Sequence, residues 1–304
     1  MGERDGILVV DKTAGPTSHD VVAGVRRLFG MRRVGHCGTL DPFATGVLVV
    51  CLGAYTRLSD WLGTGDKDYE AVFVLGACSD TGDVTGRIQK SVGGMPSHEQ
   101  VATALEGFRG VIRQVPPAYS AVKVAGVRSY KMARNQQPVV LEARTVEVKG
   151  LEILENDPPR VKLRIRCSRG TYIRSLAADL GAVLGCGGYV QELRRLAVGP
   201  LSLDDAFNFD QLRELAASDR LDEALVPVHR ALVDLRPWTL DGPEVQTFVH
   251  GGVVRPVGGL EDGEWAVFTS EHRLLGIGEA KERMLRPVRV FSTQPSLAGA
   301  HGGA

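Results

Sequence analysis

The chain has 304 residues, 43% hydrophobic and 24% charged, with 36 basic residues against 36 acidic ones. At about 150 residues per domain this is one large domain or two smaller ones, and the apolar fraction suffices for a real core, which excludes wholesale disorder. The longest apolar stretch, 47–52, falls far short of the roughly 20 residues that span a bilayer, and Met1-Gly2-Glu3-Arg4-Asp5 lacks the basic and apolar regions of a signal peptide, so a cytoplasmic protein without membrane attachment is expected.

In chain order, residues 6–10 read as a short buried strand. Thr17 or Ser18 caps a helix running to Gly30, with Val21, Val22, Val25 and Leu28 at helical spacing. Residues 47–52 read as another buried strand, and 69–75 alternate like a half-buried one. Ser97-His98-Glu99-Gln100 is a capping box opening a helix that Gly107 ends. The basic, proline-containing stretch 115–141 reads as a long excursion with one short helix. Strands at 145–154 and 160–167 pair about the turn Asn156-Asp157-Pro158-Pro159. Residues 171–184 read as a helix and 189–198 as a strand. After about residue 230, short strands at 264–269, 274–278 and 288–291 lie between glycines and predict a small β-module. The Gly/Ala-rich end, 295–304, reads as frayed. Strands alternate irregularly with helices, which predicts an α+β fold with a mixed sheet.

Cys37, Cys51, Cys78, Cys167 and Cys186 form no C-x-x-C pair, so reduced, mostly buried thiols are expected, with neither a disulfide framework nor a zinc site. The neutral total hides a segregation. Between Asp20 and Asp41 the only charges are Arg26, Arg27, Arg32 and Arg33; similar basic windows lie between Glu106 and Glu142 and between Asp157 and Asp179. Such windows are an electrostatic footprint for a polyanion.

Two segments carry chemistry. Gly35-His36-Cys37-Gly38-Thr39-Leu40-Asp41-Pro42-Phe43-Ala44-Thr45-Gly46 puts a carboxylate on a glycine-rich loop between a basic helix and a buried strand. Asp41 there can serve as nucleophile, base, metal ligand or cap. Cys167-Ser168-Arg169-Gly170-Thr171-Tyr172-Ile173-Arg174 joins a strand to a helix that Ser168 or Thr171 can cap. Tyr172 and Arg174 together suit a planar base and a phosphate or carboxylate. An arginine in a helix's first turn opposes the macrodipole, which calls for a partner elsewhere.

These segments, with Lys67-Asp68-Tyr69, Pro116-Pro117-x-Tyr119-Ser120-Ala121-x-Lys123 and Leu193-Arg194-Arg195, resemble in content and order the bacterial TruB family, tRNA pseudouridine synthases acting on the uridine at position 55 of the T-loop. The resemblance covers residues 6 to about 200, with a weaker match at about 230–292 to the family's PUA-like module. It implies a pseudouridine synthase fold, with a mixed, mainly antiparallel central sheet flanked by helices, in a catalytic domain at 1–229. A mobile thumb at about 116–142, a PUA-like RNA-binding module at 230–292 and a disordered tail at 293–304 complete the implied layout. By the same resemblance Asp41 matches the catalytic aspartate and Tyr69 the tyrosine that stacks on the target base. Tyr172 and Arg174 match the base-packing tyrosine and the arginine paired with the aspartate. His36 matches the histidine that enters the T-loop as the target flips out, and Leu196 lies where the family places an apolar wall. Lys12 stands in a Lys-x-x-Gly-Pro-Thr-Ser context in which Thr13 replaces the family's proline. The implied partner is the T-arm of tRNA, with the chain acting as a monomer without an obligate protein partner.

The implied reaction detaches uracil from C1′, turns it and rejoins it through C5. No group is lost and no redox change occurs, so no cofactor or metal is required. The nucleotide must be extruded, at a cost of a few kcal/mol. Two rivals remain at this stage: a non-catalytic tRNA-binding or folding protein using the same basic windows, and a glycosidase-like hydrolase, which normally needs two carboxylates flanking the bond.

Overall fold

Apolar alternation and helix caps place most elements where the sequence predicts them. The structure, a computed structural model, describes residues 4–120, 122–124, 126–135, 137, 140–256 and 258–291. The chain divides into two compact units, one from Leu8 to Leu225 and one from Val226 onward, with Asp5–Ile7 grouped with the second. The tail expected at 293–304 lies outside the described residues.

The first unit is built on one mixed sheet. Three of its eleven strands have two residues each, and the longer ones are β1 (Gly6–Lys12, from Leu8 on in this unit), β2 (Val34–His36), β3 (Thr45–Leu52), β4 (Lys67–Leu75), β5 (Gly110–Gln114), β6 (Arg144–Asp157), β7 (Arg160–Cys167) and β8 (Gly188–Val198). Their order across the sheet is β1-β3-β8-β4-β7-β6-β5, and β2 pairs with β3 off this path. From β8 to β5 every neighbour is antiparallel, whereas β8 runs parallel to β3. The sheet is therefore mixed and mainly antiparallel, as expected. Helices α1 (Ser18–Phe29), α2 (His98–Glu106), α3 (Ile173–Val183) and α4 (Phe209–Ala217) accompany it. Val21 and Val25 of α1, Leu48 of β3, Phe73 of β4, Leu163 of β7 and Leu176 and Leu180 of α3 share one buried cluster.

The predicted capping box forms at Ser97, and of the two candidate caps of the first helix Thr17 takes the position, in a box of its own. Thr17 caps α1 reciprocally with Asp20, and Gly30 ends the helix in the left-handed region at φ 62°. Ser97 Oγ accepts the Gln100 N–H at 3.2 Å while Gln100 Oε1 accepts the Ser97 N–H at 2.8 Å. The helix expected from residue 171 starts at Ile173 instead. Thr171 Oγ donates to the Ser168 carbonyl at 2.9 Å, so its hydroxyl serves the preceding turn, and Tyr172 takes the N-cap position without a side-chain cap. In the 116–142 segment a hairpin of two-residue strands, Lys123–Val124 and Val127–Arg128, leads into one short helix, Ser129–Arg134.

The second unit packs helix α5 (Pro243–Val249) with a four-stranded sheet of β9 (Arg236–Thr239), β10 (Gly263–Phe268), β11 (Leu274–Lys281) and β12 (Met284–Val290) in sequential order. Phe248, Val267, Leu275 and Leu285 form its core. Among the described residues no helix is long and apolar enough to cross a membrane. Four cysteines are buried and Cys78 is exposed, all of them free thiols. Pairing of β2 with β3 brings Cys37 and Cys51 to a sulfur separation of 3.2 Å.

Candidate active site

The loop between β2 and β3, which carries Asp41, is tied to its surroundings on three sides. From the start of α1, Ser18 Oγ donates to the Leu40 carbonyl at 3.0 Å and accepts the Leu40 N–H at 2.9 Å. From the end of β1, Lys12 Nζ donates to the Pro42 carbonyl at 3.1 Å and to that of Thr13 at 2.8 Å, and the Gly15 N–H meets the same Pro42 oxygen at 2.8 Å. From β8, the buried guanidinium of Arg195 donates to the carbonyls of Val47 (2.7 Å), Thr39 (3.2 Å) and Gly38 (3.3 Å). Gly46 closes the loop at φ +100°, with the Arg195 carbonyl 2.1 Å from where a Cβ would stand, so only glycine lets the two strands approach. Lys12 thus straps the loop even though Thr13 stands where the family pattern has proline.

Arg174, in the first turn of α3 and 4% exposed, meets Asp41 with two nitrogens: Nε lies 2.9 Å from Oδ2 and Nη2 lies 3.2 Å from Oδ1. This two-point contact fixes the carboxylate's plane as well as its position. The rest of the guanidinium is saturated by the Thr81 carbonyl (2.9 Å), the Tyr119 carbonyl (2.8 Å) and Asp83 Oδ2 (3.4 Å). Asp83 is itself buried, and its other oxygen accepts from Thr81 Oγ, Thr85 Oγ and the Thr85 N–H. The partner that an arginine in a helix's first turn calls for is therefore a pair of carboxylates. Sequence reading missed Asp83. It lies in a polar turn among Ser, Thr and Gly, where an aspartate ordinarily makes a local turn, and no spacing signal links it to Arg174.

Asp41 opens into a pocket of about 270 Å³ whose lining includes Tyr69, Tyr172, Ile173, Leu193, Lys67 and Arg195. The carboxylate keeps 30% of its side-chain area accessible through that pocket. Burial raises its pKa above the usual carboxylate range; the Arg174 charge opposes the rise and Asp83 reinforces it. Tyr69 is 8% exposed, with its phenol pushed above its ordinary value by burial, a rise opposed by the Arg195 charge and by a hydrogen bond that Arg195 donates to the phenol oxygen. Tyr172 is held by its backbone: Gln114 at the end of β5 accepts the Tyr172 N–H at 2.7 Å and donates to its carbonyl at 3.1 Å. Two aromatic rings, two aliphatic walls and one oriented carboxylate suit a flat ring of nucleobase size. Among the residues lining the pocket, Asp41 is the one carboxylate.

Asp41, Tyr69, Tyr172 and Arg174 are thus brought together, while two expected residues are not. Leu196 lies outside the pocket lining, and Leu193 and Ile173 supply the apolar walls. The register of β8 against β4 shifts between Arg195 and Ala197, so Leu196 sits at a bulge and not at a lining position. His36 ends β2 and also lies outside the lining. Its ring stands edge-on to His19 of α1, with centroids 5.5 Å apart. Lys67 and Arg195 belong to motifs quoted for the resemblance, but their place at the pocket becomes visible only once β4, β7 and β8 are aligned.

Comparison with known proteins bears on the same regions. The model for "TruB family pseudouridylate synthase (N terminal domain)" matches residues 26–173. Those for "tRNA pseudouridylate synthase B C-terminal domain" and "Pseudouridine synthase II TruB, C-terminal" match residues 174–233 and 237–291. A tRNA pseudouridine synthase B of Ruegeria pomeroyi is 42% identical over 290 residues, covering 94% of this chain and 95% of the relative. One of Dechloromonas aromatica is 41% identical over 275 residues, covering 90% of this chain and 91% of the relative. Among solved structures, a Cbf5–Nop10–Gar1 complex is similar with a TM-score of 0.74 and 26% identity, covering 94% of this chain and 85% of that one. An H/ACA RNP bound to a substrate RNA containing 2′-deoxyuridine gives 0.73 and 25%, with coverage of 94% and 85%.

Proposed function

The chain belongs to the TruB pseudouridylate synthase family, and we propose that it isomerises the uridine at position 55 in the T-loop of tRNA to pseudouridine, with Asp41 as the catalytic group. The observation that carries this reading is the Asp41–Arg174 pair, at 2.9 and 3.2 Å, on the floor of a pocket walled by Tyr69 and Tyr172. The target base is extruded from the T-loop and seated between the aromatic and aliphatic walls; base contacts there offset the few kcal/mol of unstacking. Asp41 then acts ionised, by addition at C6, by assisting departure at C1′, or by taking a sugar proton. Each route needs the carboxylate charged although burial disfavours that state, and Arg174 supplies the compensating charge. The chemistry calls for no cofactor. The carbonyl of Tyr119, at the root of the 116–142 segment, accepts a hydrogen bond from Arg174 Nη2 at 2.8 Å, which links the proposed thumb to the pocket.

Tritium release from 5-tritiated uridine in a T-arm hairpin tests the reading. Wild type should release tritium stoichiometrically, and Asp41→Asn should release none above background while still binding tRNA. A variant that turns over as fast as wild type leaves the tRNA-binding or folding reading. Free uracil in solution would point to a hydrolase.

A further inference from the structure

The pocket holds more positive charge than its carboxylates balance. Lys67, Arg169, Arg174 and Arg195 line it against Asp41, and Arg174 is already spent on Asp41 and Asp83. Lys67 is 8% exposed and Arg195 2%. Neither has a carboxylate as its hydrogen-bond partner. Arg195 is met by three backbone carbonyls, and Lys67 Nζ donates to the carbonyls of Gly63 and Gly65, both at 2.7 Å. Two cations held out of water with backbone carbonyls as their hydrogen-bond partners are expensive, and that cost marks a place where negative charge is expected to arrive.

Arg195 is committed to the aspartate loop and the Tyr69 phenol. Lys67 has three ammonium protons and gives two of them to Gly63 and Gly65, leaving one donor at the edge of the pocket. Resting on the function proposed above, we infer that Lys67 is a catalytic residue that donates to a carbonyl oxygen of the detached uracil and holds its negative charge while the ring turns. The bookkeeping closes without a co-reactant. The N1–C1′ bond breaks with its electron pair kept by uracil and spread over the ring carbonyls. C5 then bonds to C1′, the C5 hydrogen leaves as a proton, and N1 is protonated. In a dry pocket a fixed ammonium beside those oxygens acts where charge develops, without needing to reorganise.

A second arriving anion is the phosphate of the flipped nucleotide, and kinetics separates the two. Lys67→Met should lower the single-turnover rate of pseudouridine formation about 100-fold, with tRNA affinity and its salt dependence unchanged. Weaker binding with a shallower salt slope and an unchanged single-turnover rate would assign Lys67 to phosphate and overturn the inference. Equal rate and equal binding would also overturn it. A wild type that releases no tritium would instead sink the proposed function itself.

A second measurement does not depend on how well the Met variant folds. Lys67 faces Arg195 of β8, Cys167 and Arg169 at the end of β7, and the adjacent Asp66, with Asp41 and Tyr69 across the pocket. Burial and the Arg195 charge bring its pKa down to about 8. The wild-type rate should therefore fall above about pH 8. Lys67→Arg, which keeps its proton, should carry that limb to higher pH whatever its absolute rate. Lys12 also titrates at about 8, so a limb that stays in place in Lys67→Arg belongs to it and counts against Lys67.

Discussion

Burial holds the Asp41 carboxyl above the usual carboxylate range, so between the ordinary value of about 3.9 and that raised value the folded chain keeps a proton that the unfolded chain has released. Stability tied to this group is therefore full below the ordinary pKa and is lost as pH rises through the raised one. At neutral pH the ionised carboxylate weighs against the fold. Asp41→Asn should consequently melt at or above the wild-type temperature at pH 7, the difference closing toward pH 3, while its activity is gone. Thermal melts of both proteins across that range check the sign. A variant melting well below wild type at pH 7 would mean that the pair with Arg174 outweighs the burial. The residues at this scale differ in how legible they were. Asp41, Tyr69, Tyr172 and Arg174 stand in ordered motifs and were read from them. Asp83, Lys67 and Arg195 draw their meaning from partners on other elements: Arg174 for Asp83, the Gly63–Gly65 turn for Lys67, the 38–47 backbone for Arg195. Leu196, placed by the resemblance, lies outside the pocket lining, at a bulge that carried-over motif positions do not show.

Elements whose ends are chemically marked were the ones the sequence located well. The α2 helix is bounded by the Ser97–Gln100 box and Gly107, and the structure puts it at His98–Glu106. Removing that mark should be measurable. Ser97→Ala leaves the Gln100 N–H without its acceptor, which typically costs about 1 kcal/mol and lowers the melting temperature by roughly 2–4 °C in a chain of this size. Val101 and Leu105 remain buried on the same helix, so activity should be retained. An unchanged melting temperature would show that packing alone sets this end. Elements without such marks went unread. β5 is an edge strand of Gly-Val-Ile-Arg-Gln with mostly exposed side chains, and its strand character comes from pairing with β6 rather than from any period of its own. The same holds for the hairpin of Ala77–Ser79 with Ile88–Lys90, whose second strand is wholly exposed.

Over the whole molecule, folding redistributes the charge that the sequence shows as three basic windows. In the 157–179 window, cross-strand neighbours bring in carboxylates: Arg160 meets Glu192 at 3.0 Å, Lys162 meets Glu70 at 3.6 Å and Arg166 meets Asp66 at 3.3 Å. Much of β7 is thus an ion-paired sheet face, and alternation along one strand cannot reveal what the adjacent strands contribute. The 20–41 window behaves differently. Arg26, Arg27, Arg32 and Arg33 are all exposed. Among the described residues none of the four is in an ion pair with a carboxylate, although Arg26 donates to the Val34 carbonyl and Arg33 to Thr56. These arginines precede the aspartate loop in sequence, so a chain of neutral total charge still presents exposed positive charge there that no carboxylate pairs with. Affinity for a polyanion falls with salt in proportion to the phosphates neutralised. Arg27→Ala and Arg32→Ala should therefore each flatten the log–log salt dependence of tRNA binding by about one unit. Arg160→Ala and Lys162→Ala, which break pairs already made, should leave the slope as it is. Titrations of tRNA at several salt concentrations with all four variants decide the matter: equal slopes throughout would mean that the helix arginines are ordinary solvent-facing charge, and a loss confined to the β7 variants would move the RNA-binding face to the opposite prediction.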